Sequence, residues 1–439
     1  MSGHESDIEI DRRVAGAKPA PRRRAGRRSL VAAVVGLALL PVAGGAPSAV
    51  TGGPPADPDL ATEGSRRAGP FHLRPFLILK DAGYDDNIRL DAAQPESDTT
   101  ATAGTGLHAL LLTGDRGGFY AYQEFDYVAF DRNRDLNHWN STTRARGIAL
   151  MKHLVLSLEN RYLSERERPN TEIDQRLRRT NNAVTAALKT RSLGRLTLRA
   201  RLSGTAIDYR SEDDAVSEAV ARRLNRAERT LVAGGDVRLR PKTTLLVEAA
   251  VERIAFDDPS LDRDTRANTA LAGFRFDPSA SIQGELRAGV TALDAPDRSG
   301  SDYHGVVGDA ALSSRLGHAS RVKGTWTRGI EFSSLADNLY YVRTGWRLAF
   351  EQFFSRRVSG EVAYGRGLNH YPEPIDRTGS QPFSGIRDDY LTTWELALRY
   401  RLNDQLSLVA GGHRLTRNST DDVNDRERNL YTFGTTYNF

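Results

Sequence analysis

Residues 195–203 read RLTLRARLS, with Leu196, Leu198, Ala200 and Leu202 interleaved among Arg195, Thr197, Arg199, Arg201 and Ser203. On a helix, at 3.6 residues per turn, the apolar and charged sets smear round the cylinder. On a strand, where side chains alternate, each set collects on one face. The same period recurs at Leu154, Leu156 and Leu158, at Leu245, Val247, Ala249 and Val251, and at Trp394, Leu396, Leu398 and Tyr400. The chain from Phe71 to Phe439 is therefore read as all-β.

Turn residues divide this run unevenly. Tight turns fall at 115–118, 192–194, 240–242, 277–280, 316–318, 353–355 and 403–405, with a weaker one at 151–152. Longer polar links lie between them, at 164–174, 209–225, 257–264, 295–302, 368–387 and 418–426. One trimmed edge and one decorated edge is the asymmetry of an outer-membrane barrel. The count gives about eighteen strands (16–18), with eight short turns, nine outer loops and both termini on the periplasmic side. Helical periodicity within 209–225 predicts a short helix in that loop.

A soluble sandwich also alternates, so alternation alone does not place the sheet in a membrane. Three features do. The segments run roughly 10–15 residues, beyond the usual 5–6 of globular strands and suited to a tilted crossing. The apolar sets often end in aromatics, as at Tyr340, Trp346 and Phe350, or Trp394 and Tyr400, where an interfacial girdle wants rings. The chain ends NLYTFGTTYNF, with Tyr431, Phe433, Tyr437 and Phe439 on one face. That ending resembles the closing-strand signal read by the outer-membrane barrel assembly machinery. The expectation is a transmembrane antiparallel up-and-down β-barrel in the outer membrane, with its lipids and that machinery as partners.

Composition fits this reading. The 439 residues include no cysteine, which removes disulfides and thiolate chemistry. A mean hydropathy of −0.50 excludes a polytopic helical protein. The one long apolar run, 30–40 (LVAAVVGLALL), follows Arg22, Arg23, Arg24, Arg27 and Arg28 and suits a secretory h-region. Residues 1–49 are read as a signal peptide, 50–70 as a disordered Pro/Gly-rich lead-in and 71–439 as the barrel. The leader carries eight of the 61 basic and four of the 56 acidic side chains, leaving 53 against 52. A body that near neutrality is not built for nucleic acid.

The faces opposite the apolar sets line the expected lumen. Its candidate residues are Arg195, Arg199, Arg201, Glu248, Glu252, Glu285, Arg287, Arg343, Arg347, Glu395, Arg399 and Arg401. Only six of the 61 basic residues are lysine, and arginine's planar fork grips carboxylates bidentately. Such rows either pair with one another and solvate a wide lumen, or let an acidic hydrated polymer slide past weak repeated contacts. No cofactor, metal or catalytic constellation is expected, and no enzyme. The nine histidines are scattered, and a hydrolase assembled from His108, His138, His153, Asp135 and Ser141 is outweighed by structural roles. Asp85, Asp86, Asn87 and Asp91 are hard oxygen donors without EF-hand spacing, and they read as a solvated turn.

The first hairpins carry a resemblance. A strand at 76–80 runs into Gly83-Tyr84-Asp85-Asp86-Asn87-Ile88. A Ser/Thr-rich strand follows at 97–106, then FYAYQEFDYVAF at 119–130, then Asn137-His138-Trp139. This resembles the outer-membrane beta-barrel porin family whose members are often tied to exopolysaccharide secretion loci. The recognisable motif is confined to 71–140, and the family's usual Pro-containing second strand is replaced by 102–112 without proline. The resemblance implies a conduit for export of a hydrophilic polymer, with a polysaccharide and a periplasmic polysaccharide export protein as partners. The alternative is a general diffusion porin for small hydrophilic solutes. A barrel hydrolase, or a structural barrel with a blocked lumen, is the second alternative.

Overall fold

The computed structural model describes residues 66–439 apart from 92–93, 114–115, 171, 175, 192, 211–214 and 379–381. The expected signal peptide and most of the lead-in lie outside the described residues. The end of the lead-in is ordered, however: Arg66–Ala68 is a short strand paired with Phe71–Leu73 across a turn at Gly69, whose φ of 62° suits glycine.

Eighteen long antiparallel strands follow: β1 (Phe71–Asp85), β2 (Asp98–Leu112), β3 (Gly117–Phe130), β4 (His138–Leu150), β5 (Leu154–Glu167), β6 (Leu177–Thr190) and β7 (Leu196–Arg210). After helix α1 (Ala215–Leu224) come β8 (Arg226–Arg240), β9 (Thr243–Phe256), β10 (Thr265–Phe276), β11 (Ile282–Asp294), β12 (Tyr303–Leu316) and β13 (Ser320–Phe332). The last five are β14 (Tyr340–Phe353), β15 (Val358–His370), β16 (Asp388–Arg401), β17 (Leu406–Ser419) and β18 (Arg426–Asn438). Each pairs with its chain neighbours. β1 also pairs with β18, from Phe76 opposite Asn438 to Asp85 opposite Leu430, and the sheet closes.

The turn pattern of the sequence is the pattern of the barrel. Eight short turns sit on the edge that carries both ends of the barrel domain, and nine longer loops sit on the other. The loops at 257–264 and 295–302 have the bounds that the sequence suggests, and α1 occupies the loop where a helix is predicted. Two outer loops escaped the turn reading, at 131–137 and 333–339, while the loop at 86–97 stands where the first turn is expected. The Gly83-Tyr84-Asp85 end of the expected turn belongs to β1 itself.

Register carries the inside-outside alternation round the ring, because residues opposite one another share a face. Leu198 lies opposite Gly235, Gly235 opposite Val247, and Val247 opposite Ala272, all facing outward. Arg199 lies opposite Gly234, which lies opposite Glu248, all facing the lumen. One irregularity makes the ring consistent. Between Leu79 and Ala82 the register of β1 shifts, with Asp81 at φ 55°. This bulge turns both Lys80 and Asp85 inward, although their numbers differ in parity.

Apolar packing inside the barrel gathers at the loop end. Val220, Ala221 and Leu224 of α1 cover Leu177, Ile207 and Tyr209 of β6 and β7. Leu339, Tyr340 and Val342 pack with Ala267, Leu293 and Ala295. A 14-residue strand such as β9 rises about 35 Å at about 3.3 Å per residue and about 40° tilt. That exceeds an apolar band of about 25 Å, so strand ends project beyond the membrane.

Depth can therefore be read along a strand. Leu202 faces outward near the middle of the band, whereas Leu198 is the third residue from the periplasmic end of β7. Leu202→Arg is expected to cost about 2–4 kcal/mol and Leu198→Arg about 0–1 kcal/mol. Thr197→Arg, on the inner face opposite Asp236, is expected to be tolerated. Urea unfolding from lipid vesicles checks this, and equal losses at positions 197 and 202 would overturn the register.

Candidate permeation path and its outer mouth

Three ionic clusters line the wall. In the first, Lys80 Nζ lies 2.5 Å from Glu124 and 2.9 Å from Asp126, while Tyr122 donates to Glu124. Beside it Arg144 holds Glu159 through Nε at 3.0 Å and a terminal nitrogen at 2.9 Å. The second spans β7 to β12. Arg199 meets Asp236 at 3.2 Å and Glu248 at 3.1 Å; Arg275 joins Asp236 to Glu285; Arg287 joins Glu285 at 3.2 Å to Asp309 at 3.0 Å. In the third, Lys323 bridges Glu351 and Glu361, each at 2.9 Å. Arg347 bridges Glu361 at 3.0 Å and Glu395 at 2.6 Å, and Arg399 reaches Glu351 at 3.3 Å.

Seven of the sequence candidates thus enter these networks: Arg199, Glu248, Glu285, Arg287, Arg347, Glu395 and Arg399. Arg201 and Arg343 occupy inward register positions, opposite Ala187 and Gly329 respectively. Glu252 accepts from Thr230 at 2.9 Å. The last two candidates lie at the periplasmic edge, Arg195 in a turn and Arg401 at a strand end. Arg195 precedes β7 and its carbonyl accepts from Arg238 N–H, and Arg401 ends β16 and donates to the Arg356 carbonyl.

The outer mouth is where sequence reading fell short. The loop 168–176 folds across it. Glu172, buried between β5 and β6, accepts from Ser333 Oγ, from Ser334 N–H at 2.5 Å and from Ser334 Oγ at 2.7 Å. Those serines lie in the loop between β13 and β14, eight strands away on a ring of eighteen. The same loop reaches a third wall, where Asp174 accepts from Arg426 Nε at 2.9 Å and a terminal nitrogen at 2.6 Å. Arg168 donates to the carbonyl of Ile88 and, at 2.8 Å, to that of Asp174. Ile173 packs against the α1 cluster. An apolar residue within RERPNTEIDQ was the one local sign that this loop turns inward.

Other loops lock onto it. Asn338 Nδ2 donates to the Glu373 carbonyl at 3.0 Å, and Glu373 accepts from Arg298 at 3.0 Å and Ser301 at 2.8 Å. Arg263 threads beneath them and donates to the carbonyls of Ser333, Leu335, Asn338 and Leu339. Its guanidinium and that of Arg168 meet carbonyls rather than carboxylates. Arg176 lies over the Phe130 ring, 5.3 Å from its centroid. Burial pushes Arg263 and Arg176 each down to about 10, opposed at Arg263 by the Glu172 carboxylate and at Arg176 by Asp85, with neighbouring arginines adding to the downward shift; burial and neighbouring arginines also move Arg168 down, against Asp174 and Asp85. Among the described residues, none of these three arginines makes an ion pair with a carboxylate, unlike Arg199, Arg287 and Arg347 of the wall below.

The donor-rich first turn is not solvated, as its composition suggests. Asp85 and Asn87 are buried. Asp85 grips Arg428 through both oxygens, and Asp86 accepts from Asn429 N–H and Nδ2, each at 2.7 Å. The histidines stay apart. His108 Nδ1 meets Tyr120 Oη at 3.0 Å, and His138 meets the Leu136 carbonyl at 2.6 Å. Ser141 interacts with Gln123 on the outward face. Among the described residues no group of His, Asp and Glu has metal-binding geometry. On β18, Tyr431, Phe433 and Tyr437 point outward, and Phe439 N–H donates to the Pro75 carbonyl at 3.2 Å.

The model of the family described as Putative beta-barrel porin 2 matches residues 57–439. No curated protein matches the chain. Among solved structures, it is similar to the outer membrane protein OpdK of Pseudomonas aeruginosa, at 13% identity, covering 84% of this chain and 98% of that one with a TM-score of 0.45. It is similar to OccK2 (OpdF) of the same organism at 13% identity, with 84% and 97% covered and a TM-score of 0.48. The siderophore receptor PirA of Acinetobacter baumannii is similar at 10% identity, with 84% and 80% covered and a TM-score of 0.41.

If loop 168–176 narrows the path, Glu172→Ala frees it from Ser333 and Ser334. Single-channel conductance in planar bilayers is then expected to rise at least twofold. An unchanged conductance would show that the constriction lies elsewhere.

Proposed function

The chain belongs to the Putative beta-barrel porin 2 family and is a porin-like channel of the outer membrane, and on that premise we propose that it exports a hydrophilic acidic polymer, an exopolysaccharide. The observation that carries the reading is the distribution of charge. Along the wall, arginines and carboxylates saturate one another, so a hydrated chain meets many weak contacts and no deep well. At the mouth, Arg168, Arg176 and Arg263 make no ion pair with a carboxylate among the described residues, and that charge draws a negative solute to the loops that cross the barrel. A periplasmic polysaccharide export protein would meet the face of short turns. Passage of small hydrophilic solutes is the second reading, favoured by the loop that crosses the mouth.

Deleting the gene and measuring cell-surface polysaccharide separates them. Loss of surface polymer, restored by the intact gene and only partly by Arg176→Gln, is the expected result. Full export in the deletion strain, with ion conductance retained by the purified barrel, would leave the small-solute porin.

We also propose that Tyr431, Phe433, Tyr437 and Phe439 form the signal read by the barrel assembly machinery. Phe439→Asp is expected to lower the heat-modifiable barrel in outer-membrane fractions severalfold while the chain still reaches the periplasm. Normal insertion of that variant would remove the role from Phe439.

A further inference from the structure

The outward face carries most of its charge near the loops. Among the described residues, the one charged side chain at an outward register position in the periplasmic half of the eighteen strands is Arg240, the last residue of β8, opposite Thr243. Nearer the loops, Arg229 of β8, Arg253 of β9 and Arg266 of β10 stand directly opposite one another, Arg229 facing Arg253 and Arg253 facing Arg266. All three are exposed, and Arg229 and Arg253 are the fourth residues from the outer ends of their strands. Just beneath them the apolar band begins at Leu231 and Val251.

Like charges in directly opposed positions weaken a sheet. On the same face, Arg414 has Glu427 beside it at 2.5 Å. Among the described residues, none of the three makes an ion pair. The nearest acid in register is Asp294, opposite Arg266 and exposed, and it forms no ion pair with it. Four positions deeper on each strand the wall is recessed. Ala233, Gly235, Val247, Ala249, Ala270 and Ala272 line an open apolar groove of about 590 Å³. Four residues of tilted strand descend about 10 Å, the separation between a lipid's headgroup and its first acyl segments.

We propose that Arg229, Arg253 and Arg266 bind the phosphate of a phosphorylated lipid in the outer leaflet, with an acyl chain seated in the groove below. Charge complementarity selects the headgroup, since guanidinium forks take phosphate oxygens in pairs. The small side chains give the acyl chain closer contact than the bulkier wall around them.

The test is native mass spectrometry of the full chain in detergent with added bis-phosphorylated lipid A. Wild type is expected to retain a lipid adduct, and R229Q/R253Q/R266Q to lose affinity at least tenfold. Arg414→Gln should keep wild-type binding. Filling the groove with Ala249→Leu and Ala270→Leu should weaken binding at least threefold. Heat-modifiable mobility confirms folding of each variant. If the triple variant does not fold, wild type against dephosphorylated lipid A decides, with at least a tenfold loss expected. Excess inorganic phosphate should fail to displace the lipid; full displacement would mean a free-anion site and overturn the acyl component. Equal binding by the triple variant, or of dephosphorylated lipid A, overturns the proposal.

Discussion

The pairing of β1 with β18 is the constraint on which the rest depends. An open sheet in a bilayer would leave a row of amides and carbonyls without partners, each costing several kcal/mol. Closure removes both edges, and the protein fastens the seam at its outer end with side chains as well as backbone. Asp85 and Arg428 are both buried and bound through two oxygens, Asp86 holds Asn429, and Asn87 Nδ2 donates to the Glu427 carbonyl at 3.0 Å. Gly83 is needed in the same stretch, because a Cβ there would stand 1.8 Å from the Tyr431 carbonyl oxygen. The Gly-Tyr-Asp-Asp-Asn element is thus seam chemistry.

Closure also fixes parity. Once one residue faces inward, register settles the face of its neighbour on the next strand, and the sum round the ring must return to its start. The bulge at Asp81 is where it does so, and it leaves Lys80 free to hold Glu124 and Asp126 while Asp85 holds Arg428. A mean hydropathy of −0.50 is compatible with membrane residence for this reason, since only every second strand residue need be apolar.

Periodicity made the strands, their faces and the loop-turn asymmetry legible, because each is decided by neighbours within a few residues. Leu198 and Arg199 can be assigned to opposite faces without knowing anything distant. The mouth and the seam were not legible, because their partners meet only after closure. Glu172 finds Ser334 across 162 residues and Asp85 finds Arg428 across 343. Read alone, Asp85 and Asn87 are solvated turn residues; the arginine that buries Asp85 lies at the far end of the chain. Arg195 shows the smaller failure, since a strict alternation carried one residue too far places a turn residue on the wall.

Arginine outnumbers lysine 55 to six here, and the three environments of the barrel give one reason. In the wall, a fork bridges two carboxylates on different strands where Arg347 meets Glu361 and Glu395, which a lysine does only as a point charge. In the mouth, Arg263 satisfies four carbonyls from one loop and still keeps its charge while buried. A lysine placed there would shed its proton more readily. On the outer rim, a planar fork at the membrane surface matches a pair of phosphate oxygens. The same side chain is neutralised in the first place, held by carbonyls in the second and left open in the third. Where the protein withholds a carboxylate is therefore where an external anion has something to gain.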